Sequence, residues 1–215
     1  MTKEERLQLQ REKLAHMRVR EDQLRAEGYK YIAGVDEVGR GPLAGPVVTA
    51  AVILPEDFDV LGIDDSKKLS EKKRNELFDI IMERAVAVGI GMADEKTIDE
   101  INILQATYLA MERAISQLSV RPDMALIDGN RAKNFGLPVT TVVHGDALSA
   151  SIAAASILAK VTRDDYMDEM SKQYPAYGFE VHKAYGTKAH YEALRQFGPS
   201  PIHRMTFLKK FYGNQ

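Results

Sequence analysis

Apolar and polar positions alternate between two periods along this chain. Residues 1–28 carry charges of both signs, with Leu7, Leu14, Met17 and Leu24 at roughly helical spacing. That pattern predicts a polar helix with a thin apolar stripe, resting solvated on the rest of the molecule, and Gly28 stands where a helix end expects it. Two apolar runs follow, Tyr31 to Val35 and Val47 to Leu54, separated by a glycine-rich stretch. They predict strand, turn, strand. Ser70 is a candidate cap for a helix to about Arg84, with Leu77, Ile80 and Ile81 in phase. Ala85 to Met92 predicts a third strand. Thr97 with Glu100 matches a capping box. It would open a helix to about Leu118, with Ile101, Leu104, Tyr108, Met111, Ile115 and Leu118 as its core face.

Met124 to Asp128 and Pro138 to His144 predict two more short strands. An alanine-rich helix follows from Leu148 through Lys160 and Arg163. Residues 174–186 read as irregular, and Thr187 to Phe197 as a further helix stopped by Gly198 and its prolines. Strands cluster early and then alternate with helices, so the layers are those of an α/β or α+β domain. There are no internal repeats and no low-complexity segments.

Acid is placed unevenly on this framework. The first strand runs into Asp36-Glu37 and then Gly39-Arg40-Gly41-Pro42. Carboxylates at a strand end have a desolvation cost unless paired or bound to a cation. Glycines let the backbone approach a ligand and leave its N–H groups free to donate. The plain reading is a hairpin with solvated acids. The chemical one is a metal site beside a phosphate-contacting turn. Met124-Ala-Leu-Ile-Asp128 repeats the pattern, and neighbouring strands would bring Asp36 and Asp128 together. Asp146 lies just before the alanine-rich helix, where a simple helix cap is the alternative. Adjacent strand residues point to opposite faces. Asp36 and Glu37 would therefore share a site only if the strand bends or Glu37 uses its backbone carbonyl.

Cations and aromatics add a second layer. Lys67 and Lys68 precede the helix that begins near Ser70, and Lys160 and Arg163 lie on the alanine-rich helix. His182, Lys183 and Tyr185 stand in the loop at 174–186. Interleaved tyrosines and cations suit stacking on sugar or base beside phosphate contacts, or else simply cover core. Arg204, Lys209 and Lys210 give the C-terminal segment a basic border.

Composition narrows the classes. The chain has 215 residues, 45% hydrophobic content, net charge −2 and no cysteine. One domain with a sizeable core is expected. Nucleic-acid binding would need a local basic face. Disulfides and thiolate metal sites are excluded, which favours a reducing cytoplasm. No apolar run reaches the ~18 residues of a membrane span, and the first residues are too charged for a secretory signal.

The stretch Tyr31 to Leu54 resembles the signature of ribonuclease HII, the type 2 ribonuclease H family, in which the Asp-Glu pair and the Gly-Arg-Gly turn stand together. Gly145-Asp-Ala-Leu-Ser-Ala-Ser-Ile-Ala-Ala-Ala-Ser-Ile-Leu-Ala-Lys160 is similar to that family as well. His182-Lys183-Ala184-Tyr185-Gly186-Thr187 departs from it only at Ala184, where the family has glycine. The resemblance runs from about Tyr31 to Phe207.

It implies an α/β, ribonuclease H-like fold: a mixed five-stranded central sheet flanked by helices, with a helical C-terminal part. Residues 1–28 would be an extension and 29–215 the catalytic domain. Asp36, Glu37, Asp128 and Asp146 match the four catalytic, metal-binding acids. Four carboxylates favour hard ions, two Mg²⁺ or Mn²⁺ ~4 Å apart. The implied substrate is an RNA/DNA hybrid or a DNA duplex containing ribonucleotides. It would be cut 5′ of the ribonucleotide to leave 3′-hydroxyl and 5′-phosphate, in ribonucleotide excision repair and RNA primer removal. Gly39, Arg40 and Gly41 would sense the 2′-hydroxyl and Tyr185 would stack on the next sugar. Lys67, Lys160, Arg163, His182 and Lys183 would contact nucleic acid. A monomer without membrane attachment is expected. Ribonuclease HIII and a non-catalytic hybrid-binding module are the alternatives.

Overall fold

A computed structural model describes residues 2–213. Five strands form one sheet: β1 (Ile32–Val38), β2 (Val47–Ile53), β3 (Ala87–Ala93), β4 (Met124–Asp128) and β5 (Val139–Val142). The order is β3-β2-β1-β4-β5. β1 pairs antiparallel with β2, and β2 with β3. β4 joins β1 in parallel and β5 joins β4 in parallel. The expected mixed sheet is therefore present.

The helices are α1 (Lys3–Ala26), α2 (Glu71–Arg84), α3 (Glu95–Ser116), α4 (Gly145–Leu148), α5 (Ala150–Gln173), α6 (Phe179–His182), α7 (Lys188–Phe197) and α8 (Met205–Tyr212). Two faces of the sheet are covered by different helices. On one, Val48, Ala50 and Val52 pack with Leu77, Ile81 and the small residues of α5, and α1 adds Leu14 and Met17. On the other, Ala33, Val35, Ala51 and Ile53 pack against Met111 and Ala114 of α3. A third apolar cluster joins Leu43 and Ala44 to Met167, Phe179, Ala184, Leu194 and Leu208, and so closes the glycine-rich turn under the C-terminal helices.

Alanine and serine let α5 lie directly on β1. A Cβ on Gly34 would stand 2.1 Å from the backbone carbon of Ser151. Gly34→Ala is thus expected to push α5 off the sheet and destabilise the protein by roughly 3 kcal/mol, the upper range for overpacking. Urea unfolding measures it; a shift under ~0.5 kcal/mol would mean that α5 moves freely.

Several local expectations hold. Ser70 accepts from Lys73 N and starts α2, and Thr187 accepts from His190 N and starts α7. Others need correction. The Thr97–Glu100 capping box does not form: Asp94 is the cap, accepting from Thr97 N, and α3 begins two residues before Thr97. The expected core face of α3 holds only beyond a break at Asn102, where φ is 66°: Met111 and Leu118 are buried and Tyr108 and Ile115 pack against them, while Ile101, before the break, falls out of phase. Asn102 Oδ1 then accepts from Leu104 N and Gln105 N and restarts the helix in a new phase. Ile101 is left exposed, while Ala106, Ala110, Met111 and Ala114 are buried. The β3 strand starts at Ala87 rather than Ala85, and β5 stops at Val142.

α1 is not merely solvated. Met17 is fully buried, and Glu21 Oε1 accepts from Ser149 Oγ at 2.6 Å, Ser151 Oγ at 2.6 Å and Ser151 N at 3.0 Å. A carboxylate from the first helix therefore sits at the N-terminus of α5, where the exposed N–H groups favour negative charge.

Candidate active site

Parallel pairing sets the site. β1 and β4 are in register at Val35↔Ile127, so Asp36 and Asp128 leave the sheet side by side. β1 stays paired with β2 through Val38↔Val48, so the strand does not break at the acids. Asp36 shares the face of Gly34 and is turned toward α5. Its Oδ1 accepts from Glu37 N at 2.7 Å. Glu37 falls on the α3 side, in a cleft of about 340 Å³ that Arg40, Thr107, Tyr108, Asp128 and Asn130 also line. Asp128 reaches both faces electrostatically, because it raises the carboxyls of Asp36, Glu37 and Asp146 alike.

Asp146 enters from α4, and the structure corrects its expected place. It is not a helix cap: it lies inside α4, and Ser149 caps α5 by accepting from Ile152 N. His144 precedes α4 with φ 57°, and this left-handed residue turns the chain so that Gly145 N donates to Asp128 Oδ1 at 2.6 Å. That bond locks the start of α4 to the end of β4.

The electrostatics are those of acids brought together without compensation. Burial, then Glu37 and Asp128, hold the Asp36 carboxyl well above the usual range. Burial raises Glu37, while Arg40 pulls it back. Burial, then Asp65 and Asp128, raise Asp146, and Lys67 opposes them. Such a set is stabilised by a cation of oxygen preference. Among the described residues no three acidic or histidine side chains already converge as a closed cage. Three of the four are turned to a local partner instead: Asp36 to the Glu37 amide, Asp128 to the Gly145 amide and Glu37 to Arg40 at 3.1 Å. The donor set, carboxylates without thiolate, fits a divalent metal in its chemistry.

Three features escape a reading of the sequence alone: Asp65, the Ser66–Ser156 pair and Arg204. Asp65 lies beside Asp146, and its charge raises that carboxyl. Ser156 of α5 stands beside Asp36 and lowers its carboxyl against the effect of burial, and Ser66 Oγ lies 3.0 Å from Ser156 Oγ. The Asp65-Ser66-Lys67 segment thus lines the site, although its charge and small hydroxyl look like an ordinary loop. Arg204 is the third. It is fully buried and donates to Gly39 O at 2.6 Å, Arg40 O at 3.1 Å and Gly45 O at 2.7 Å. Burial, then Arg163, pushes its guanidinium down to about 9, still charged at neutral pH.

The expected nucleic-acid contacts divide. Gly41 and Tyr185 are neighbours: a Cβ on Gly41 would meet Tyr185 Cε1 at 3.7 Å, and Leu43 N donates to Ala184 O at 2.8 Å. Tyr185 is 45% exposed, and Lys67 and Arg40 are exposed near the acids. Arg163 must be corrected. It is fully buried and donates to Pro46 O, Ala44 O and Lys183 O, so it braces the glycine-rich turn from inside and meets no ligand. Gly39, with φ 89°, must lack a side chain because a Cβ would stand 2.2 Å from Arg163 Nε. Arg204, expected at a basic border, is likewise interior. Lys160 is paired with Asp164 at 2.7 Å, and Lys183 is paired with Asp168. Lys160 also shares no helix with Asp146, since the extended Ser149 separates α4 from α5. His182 is turned inward, with Nε2 2.9 Å from Tyr177 O.

Comparison with known proteins agrees with this arrangement. The family described as ribonuclease HII matches residues 33–210. Ribonuclease HII of Bacillus licheniformis is 55% identical over 211 residues, covering 96% of this chain and 81% of that one. Ribonuclease HII of Acetivibrio thermocellus is 56% identical over 184 residues, covering 86% and 72%. The crystal structure of ribonuclease H2 from Pyrococcus horikoshii OT3 superposes with TM-score 0.71 at 27% identity, over 86% of this chain and 100% of that one. Acids delivered by two parallel strand ends and a short helix, on a mixed five-stranded sheet, in a chain more than half identical to the Bacillus and Acetivibrio proteins over most of its length, place it in the ribonuclease HII family of metal-dependent ribonuclease H hydrolases.

Proposed function

We propose that Asp36, Glu37, Asp128 and Asp146 are the catalytic acids of this endoribonuclease and hold two divalent ions, Mg²⁺ or Mn²⁺, with Glu37, on the other face of an unbroken β1, contributing through its backbone carbonyl. The observation that carries the proposal is their shared placement around Asp128, whose charge raises the other three carboxyls. When bound, such ions supply an activated water and neutralise charge on the leaving oxygen of a phosphodiester. The substrate is an RNA/DNA hybrid or duplex DNA with embedded ribonucleotides, cut 5′ of the ribonucleotide to leave 3′-hydroxyl and 5′-phosphate. This activity would serve ribonucleotide removal from DNA and RNA primer removal.

The protein's own groups orient that substrate. Gly41 presents backbone groups to the 2′-hydroxyl, the group that separates RNA from DNA, and Gly39 joins it through its N–H, its carbonyl being held by Arg204. Arg40, half exposed, reaches a phosphate from the same turn. Tyr185 stacks on the following sugar, beside Gly41. Lys67 faces the phosphate from the Asp146 side. Lys160, His182 and Lys183, occupied by protein partners, border the strand rather than grip it. Residues 1–28 are an extension packed on a catalytic domain of residues 29–215. The enzyme works as a monomer in the cytoplasm, a setting that suits a chain without cysteine.

The test is a duplex with one ribonucleotide. The strand is expected to be nicked with Mg²⁺ or Mn²⁺ and left intact in excess chelator. Undiminished cleavage in chelator would remove the metal role of the four acids.

A further inference from the structure

The Tyr185 segment is held from behind by two histidines that the acid cluster does not use. His190 lies in the first turn of α7 and His203 just before α8, and they are 0% and 3% exposed. His203 Nδ1 is 2.9 Å from Ser200 N and 2.8 Å from Ser200 Oγ. A backbone N–H only donates, so that nitrogen carries a lone pair and the ring proton is on Nε2. At the other end, His190 Nδ1 is 3.0 Å from the Tyr185 carbonyl oxygen. A carbonyl only accepts, so His190 Nδ1 carries a proton. The two Nε2 atoms are 2.9 Å apart, which leaves room for one proton, the one on His203.

Backbone atoms at both ends therefore dictate both tautomers. The chain runs from Ser200 N–H through His203 and His190 to Tyr185 C=O, and each ring is neutral. A further proton between the rings would set two N–H groups against each other. The surroundings agree. Burial lowers both imidazoles, and His203, with His190 as second cause, falls to about 4. His182 stacks on His190 at 4.7 Å, and Phe179 and Tyr177 flank His203. Among the described residues no carboxylate hydrogen-bonds to either ring.

This chain ends at a strained point. Lys183 and Ala184, immediately before Tyr185, have φ of 47° and 66°. Residues with side chains seldom adopt that conformation, and it persists only where neighbours over-determine it. Tyr185 O accepts from Thr187 N at 2.8 Å as well as from His190, so both lone pairs of the carbonyl are used. The backbone is pinned while the ring stays exposed beside Gly41.

We propose that His190 and His203 form a neutral positioning relay that seats the Tyr185 ring, making both histidines determinants of sugar specificity through Tyr185. The proposal rests on the reading of Tyr185 as the group that stacks on the sugar. Its test is a double-mutant cycle, with kcat and KM measured on a single-ribonucleotide duplex and on a long hybrid. Tyr185→Ala and His190→Ala are each expected to lose roughly tenfold in kcat/KM on the single-ribonucleotide duplex, the scale of a lost stack. The double variant should be no worse than either. His190→Asn, whose amide N–H can replace the Nδ1 donor, should recover most of the loss.

Losses that multiply in the double variant would overturn the relay and leave His190 as scaffold. If His190→Ala does not fold, His203→Asn, which keeps an acceptor for Ser200 N but withdraws the donor toward His190, takes its place in the cycle with the same two outcomes. Nitrogen-15 NMR of the wild-type protein reads the relay independently. It should find His190 as the Nδ1–H tautomer and His203 as the Nε2–H tautomer between pH 6 and 8, and any other assignment overturns it. Should Tyr185→Ala alone lose nothing, the sugar reading and the specificity role fall together, and the NMR result still decides whether the relay exists.

Discussion

Asp128→Asn is expected to lower kcat by roughly 10²–10³-fold, the scale of removing one preorganised charge from a reacting centre. The side chain keeps its size, so the fold should survive. Its Oδ1 accepts from Gly145 N, and an asparagine carbonyl oxygen can keep that bond. What disappears is the charge that couples the other three acids. The Mg²⁺ concentration for half-maximal rate should therefore rise along with the loss in kcat. Asp146→Asn should lose turnover with a smaller change in that concentration, because Asp146 stands at the margin beside Asp65 and Lys67. Rates over a Mg²⁺ titration with matched melting temperatures measure both. Asp128→Asn at near-native rate under saturating Mg²⁺ would move the metal site away from the strand ends.

The second large effect is on stability. Arg204→Met removes a fully buried guanidinium that donates to Gly39, Arg40 and Gly45. Three backbone carbonyls lose a partner, and each buried orphan costs ~1–3 kcal/mol. Losing a buried cation that has no carboxylate partner returns part of that. A net loss of about 3 kcal/mol is expected, or about 6–12 °C in Tm for a chain of this size. Arg204→Lys keeps the charge but cannot fork to three carbonyls, so it should fall between wild type and Arg204→Met. Thermal unfolding measures this. A Tm within a degree of wild type for Arg204→Met would mean that water serves those carbonyls and the turn holds itself.

The sheet was largely legible in the residues. Period-two apolar runs, Ser70 and Thr187 as caps, and glycine and proline at the turns are local devices, and local sequence encodes them. The same is true of acid at the ends of two apolar runs, but whether those runs are neighbours stayed open in the pattern, and the parallel pairing of β1 with β4 came from the structure. In α3 the periodic face from Tyr108 to Leu118 held and Ile101 did not, because Asn102 restarts the helix, and a single side chain capping its own backbone competes with a periodic pattern. The Thr97 box failed because Asp94 offers an acceptor three residues earlier.

Charged residues mark the limit most sharply. Arg40, Lys67, Arg163 and Arg204 look alike along the chain, yet two are exposed at the site and two are interior clamps on the glycine-rich turn. Chain neighbours do not decide which, because the carbonyls that Arg204 meets at Gly39 and Gly45 lie more than a hundred residues away. The same holds for Asp65 beside Asp146, for Ser66 and Ser156 behind Asp36, and for the two histidines behind Tyr185. By itself the sequence determined the strands, the turns, the order of the motifs and the supply of acid. Tertiary structure alone decided which polar groups face one another, because the cost of burying a charge or an N–H depends on partners that folding brings from distant parts of the chain.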